Sequence, residues 1–114
     1  MSKLGPDVVS EEGLRELLAL GHQAMVVCVE APRLKNNVWY GAWILRCVSL
    51  DGKADRLLVT FRRRVTDEIR PRTFQTLNGL VNFLHSLGFR TLLLPMEQDG
   101  RTCHNLAHHG ARTP

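Results

Sequence analysis

No long apolar run is present in this sequence. Its most hydrophobic stretch, residues 38–45, is interrupted by Gly41 and falls far short of the ~18 residues that a membrane-spanning helix needs, so no membrane partner is expected. Residues 1–10 hold one lysine and no apolar stretch of signal-peptide length, so a cytoplasmic protein is expected. Cysteines are scarce and odd in number. Cys28, Cys47 and Cys103 are widely spaced and contain no C-x-x-C pair, which speaks against a zinc or redox site of that type. Glycine-rich phosphate loops and the G-x-S-x-G nucleophile elbow are missing, and the carboxylates sit mostly at helix caps and turns. Neither an enzyme nor a cofactor is expected.

What remains is an ordinary globular chain. Its 114 residues make one domain, and 44% hydrophobic with 23% charged residues is the balance of a soluble fold that buries about two-thirds of its unfolded surface. A net charge of +4 and a pI near 9.4 permit an acidic partner, nucleic acid or protein, without requiring one.

Helix and strand signals are clear in places. Ser10 before Glu11 and Glu12 marks a helix start, Leu14, Leu17 and Leu18 keep helical spacing, and Gly21 supplies the stop, which predicts a helix over 11–20. Residues 25–29 form a short apolar strand closed by Ala31-Pro32, followed by a polar turn at 33–37. The stretch 38–50 reads as a strand, turned at Asp51-Gly52 into a partner at 56–62 in which Leu57, Val59 and Phe61 alternate with polar neighbours. Thr73 or Thr76 caps a second helix, whose apolar positions Leu77, Leu80, Val81, Leu84 and Leu87 end at Gly88. Residues 91–94 read as a last strand ended by Pro95. The expected fold is α+β in the order α-β-β-β-α-β, a four-stranded, mostly antiparallel sheet with two helices on one face. It occupies residues 1–96, and 97–114 form a polar, loosely ordered tail.

Three clusters could carry chemistry. Arg62, Arg63, Arg64, Arg70 and Arg72 place five arginines in eleven positions against Asp67 and Glu68. Guanidinium groups fork onto phosphate or carboxylate, so this segment suits a nucleic-acid backbone or an acidic protein; five phosphate contacts would give a salt slope of about −4.5. Trp39 and Trp43 share one face of a strand with Tyr40 on the other, available to core packing, to base stacking or to a homo-oligomer interface. His104 and His108 stand at i, i+4 beside Cys103 and His109, but no third ligand is near and no metal is expected.

The stretch Arg70-Pro71-Arg72-Thr73-Phe74-Gln75-Thr76-Leu77, followed by Val81-Asn82-Phe83-Leu84 and Leu87-Gly88-Phe89, resembles small proteins of bacterial plasmids labelled ParC-type partition-associated proteins. The likeness spans residues 14–94. It implies a non-enzymatic accessory role in plasmid partition or maintenance, with no catalytic residue to transfer. An interaction module or homodimeric adaptor for an acidic protein is the alternative.

Overall fold

The computed structural model describes residues 7–62 and 68–106. Along them run β1 (Val8–Val9), α1 (Glu11–Ala19), β2 (Gln23–Lys35), β3 (Val38–Val48), β4 (Asp55–Arg62), β5 (Glu68–Pro71), β6 (Phe74–Thr76), α2 (Leu77–Ser86) and β7 (Arg101–Asn105). Both helices begin at a hydroxyl cap: Ser10 Oγ accepts from Gly13 N–H and Thr76 Oγ1 from Gly79 N–H, each at 3.1 Å. Both are followed by a left-handed glycine, Gly21 at φ 105° and Gly88 at φ 112°. The β2–β3 turn is Asn36-Asn37, with φ of 52° and 64° between the paired residues Lys35 and Val38. Positive φ at both central residues is the primed-turn geometry that matches strand twist, and asparagine tolerates it.

The strands form one seven-stranded mixed sheet, with β1-β4-β3-β2-β7 as its spine, β5 paired to β4 and β6 to β3. This corrects the expected four-stranded, mostly antiparallel sheet and its α-β-β-β-α-β order. Several strands lie where apolar patterning is silent. β1 is a two-residue strand, parallel to β4, that precedes the first helix. β2 does not stop at Pro32; it runs on to Lys35 through two register shifts, between Cys28 and Glu30 and between Glu30 and Arg33, and such bulges accommodate a residue that cannot donate.

Residues 91–94 are not a strand, and the edge of the sheet is instead β7, taken from the segment expected to be a loose tail. The reason is visible at Leu93. Its N–H donates to His104 Nε2 at 2.9 Å and its carbonyl accepts from Thr102 Oγ1 at 2.7 Å, so side chains of β7 supply the partners a neighbouring strand would have given. Leu92 and Leu94 still pack against the core.

Alternation sorts the sheet into two faces. Ala24, Val26 and Cys28 of β2 with Trp43, Leu45 and Cys47 of β3 point into the single core, and Leu14 and Leu18 of α1 and Leu80, Phe83 and Leu84 of α2 close it from the same side. Arg15 ties the two helices together, pairing with Glu11 at 3.0 Å and donating to Ser86 O at 3.1 Å. The molecule is a slab of 49 × 45 × 22 Å.

Candidate nucleic-acid interface

β3 is shared along one edge. Arg46, Cys47 and Val48 pair with β4, whereas Tyr40 and Trp43 pair with β6. After Leu57, β4 therefore parts from β3 and continues through Val59–Arg62 paired with β5. In this ribbon Arg62 stands in register with Glu68 and Arg70 with Thr60, and Arg70 is exposed. Two of the five arginines, Arg63 and Arg64, lie outside the described residues, in the connection between β4 and β5.

Arg72 has a different position. Its guanidinium carbon sits 4.7 Å from the Phe74 ring centre and 5.0 Å from that of Phe83, and Nη1 is 3.9 Å from Glu11 Oε1 at the start of α1. Cation–π contacts of this kind contribute about 0.5–2 kcal/mol, so Arg72 works as a clamp between β6, α2 and α1. Those two phenylalanines, 5.1 Å apart, belong to the Arg-x-Phe and Phe-Leu elements of the plasmid-protein resemblance, which thus describe a packing unit. A shallow cleft of about 540 Å³ lies beside it, lined by Glu11, Glu12, Arg15, Thr60 and Arg72 among others.

The tryptophans separate as well. Trp43 is fully buried and its Nε1–H donates to Pro95 O at 2.9 Å, so it cannot stack on a ligand in this fold. Trp39 is 38% exposed at the rim, next to Leu77 and Val81 of α2. Patterning also missed the far end of the β2–β3 hairpin, where Leu34 and Tyr40 are exposed beside Arg33 and Lys35. The signal that could have found it was Asn36-Asn37 between two β-prone runs.

Of the histidine-rich segment, His104 lies among the described residues. His104 is buried with both ring nitrogens engaged, Nε2 by Leu93 N–H and Nδ1 by Ala24 O at 3.4 Å, leaving no lone pair for a metal; His108 and His109 lie outside the described residues. Burial pushes its pKa below the ordinary histidine value. Among the described residues, no three His, Cys, Asp or Glu side chains gather as metal ligands, and no helix is long and apolar enough to cross a membrane. Cys28 and Cys47 are buried and burial raises their thiol pKa values, which keeps them protonated and unreactive, while Cys103 is exposed on β7. Searches against protein-family models, curated proteins and solved structures find no significant match to this chain.

Proposed function

We propose that this chain is a non-enzymatic accessory protein of plasmid partition or maintenance that holds nucleic acid with the arginines of the β4–β5 ribbon. The observation that carries the reading is the departure of β4 from β3 after Leu57, which leaves Arg62 and Arg70 on a two-stranded ribbon. A major groove about 12 Å wide admits such a ribbon, and arginine forks suit the phosphates along its walls. Arg63 and Arg64 add to the same segment by sequence, and its excess of three positive charges within residues 62–72 is most of the +4 of the chain. The plasmid setting rests on the resemblance of residues 70–89.

Arg72 is held against Phe74, Phe83 and Glu11, and if the other four arginines alone contact phosphate the salt slope of log K is about −3.6 in place of −4.5. Fluorescence anisotropy of a labelled duplex, titrated at several salt concentrations, reads this directly. Changing Arg62, Arg63 and Arg64 together to alanine is expected to remove most of the binding while shifting stability by no more than ~1 kcal/mol. A flat salt response, or a triple variant that binds as well as the parent, sinks the proposal. A second reading, an adaptor for an acidic protein, draws on Leu34 and Tyr40 exposed beside Arg33 and Lys35; a stoichiometric protein complex that survives nuclease treatment would favour it.

A further inference from the structure

Of the aromatic side chains at 39–43, Tyr40 reaches solvent most, 46% exposed against 38% for Trp39, with Trp43 buried. It stands where an arm leaves the sheet. The β7 ladder along β2 ends at Val27 and the β6 ladder along β3 ends at Tyr40. Beyond them, among the described residues, β2 and β3 pair only with each other, as far as the turn at Asn36-Asn37.

Register sorts the side chains of this arm. Arg33 pairs with Tyr40 and Lys35 with Val38, whereas Leu34 pairs with Trp39. Cross-strand partners share a face and neighbours along a strand alternate, so Arg33, Lys35 and Tyr40 lie together. Leu34 and Trp39 take the other side, where Trp39 meets Leu77 and Val81 of α2. An open concavity of about 660 Å³ is lined by Arg33, Leu34, Lys35, Asn36 and Tyr40. Its charge has one sign. Residues 33–40 hold two cations and no carboxylate, and neither cation makes an ion pair among the described residues. Glu30, the acid nearest in sequence, pairs with Ala42 toward the base of the arm and lines an adjoining hollow with Gln75.

A base of any identity lays its π face on an aromatic ring, and cations beside the ring take the neighbouring phosphates. Arg33 and Lys35 are two positions apart on one strand, about 6–7 Å, a spacing that successive phosphates of an extended chain can match. The tight Asn-Asn turn and the close approach of the strands at Gly41 hold the platform in place before a ligand arrives. We propose that the tip of the β2–β3 hairpin binds single-stranded nucleic acid, with an unpaired base stacked on Tyr40 and the adjacent phosphates held by Arg33 and Lys35. The exposed ring selects this occupant over an acidic peptide, which the two cations alone would serve. A duplex keeps its bases stacked and paired and offers Tyr40 no free face. The site shares no residue with the β4–β5 ribbon, so it goes beyond the duplex reading and holds or fails apart from it.

Anisotropy of a labelled thymidine oligonucleotide of about 12 residues, titrated with the full chain, tests it beside a labelled duplex and a labelled polyglutamate peptide. Tyr40→Ala, checked for native circular dichroism, is expected to weaken single-strand binding at least ~10-fold, and Tyr40→Phe to keep it within ~2-fold. Duplex binding, the readout of the ribbon, is expected to be the same in both variants and the parent. Arg33→Ala combined with Lys35→Ala, at exposed positions of the tip, is expected to flatten the single-strand salt slope of log K by about 1.4, and it decides should Tyr40→Ala fail to fold. No single-strand binding by the parent, a folded Tyr40→Ala variant that binds like the parent, or an unchanged salt slope overturns the proposal. Polyglutamate bound as tightly as the oligonucleotide overturns it in favour of an acidic protein.

Discussion

His104 is the polar side chain that the described residues bury, and its two hydrogen bonds specify one protonation state. Nε2 must stay bare to accept Leu93 N–H, so the proton belongs on Nδ1, facing Ala24 O. Burial holds the pKa below the ordinary value near 6.5, which fixes the sign of the pH dependence. The unfolded chain takes up the proton first as pH falls. The stabilisation is therefore complete above about pH 6.5 and is lost as the pH drops from there toward the lower folded-state pKa. Urea midpoints at pH 7.5 and 5.5 are expected to differ for the parent, and His104→Leu should narrow that difference. The same variant strands Leu93 N–H, at a cost of about 1–3 kcal/mol at neutral pH. An unchanged pH difference in His104→Leu would assign the effect to other groups.

At the scale of elements, the long β2–β3 hairpin depends on Gly41. A Cβ there would stand 3.0 Å from both Glu30 O and Pro32 Cα, backbone atoms of the bulged part of β2 that cannot swing aside. Gly41→Ala is expected to cost about 1–3 kcal/mol, read as a lower thermal midpoint, because the bulge must shift to admit a methyl group. A midpoint equal to the parent's would show that the strands separate freely there. Much of the local structure was legible: the cap at Ser10, the choice of Thr73 or Thr76 that falls to Thr76, the stops at Gly21 and Gly88 and the Asp51-Gly52 turn are local chemistry, and local chemistry is written in neighbouring residues. What escaped was nonlocal. Arg101 to Asn105 has no apolar alternation, since its inward positions are Thr102 and His104, whose partners lie on Leu93. Residues 91–94 look like a strand for the complementary reason, with inward Leu92 and Leu94 but a backbone served by side chains. The candidate site was legible as a cluster but not as a division of labour, because no spacing rule indicates that Arg72 falls between Phe74 and Phe83 while Arg70 faces Thr60.

For the molecule as a whole, the decisive feature is that β7, the last described strand, returns to pair with β2, far earlier in the chain. Ala24 and His104 face each other 80 positions apart, and the β2–β7 ladder is the seam that joins them. Bringing such distant segments together costs loop-closure entropy before any contact offsets it, so this seam is expected to form after the β2–β3 and β3–β4 hairpins. Thr102→Ala, which removes the 2.7 Å bond to Leu93 O, should therefore speed unfolding and leave the folding rate nearly unchanged in stopped-flow chevrons. A slower folding limb would place β7 in the nucleus instead. The side-chain bonds from Thr102 and His104 to Leu93 thus act as a latch on the finished fold: they contribute little to the speed of assembly and much to how long the assembled sheet persists.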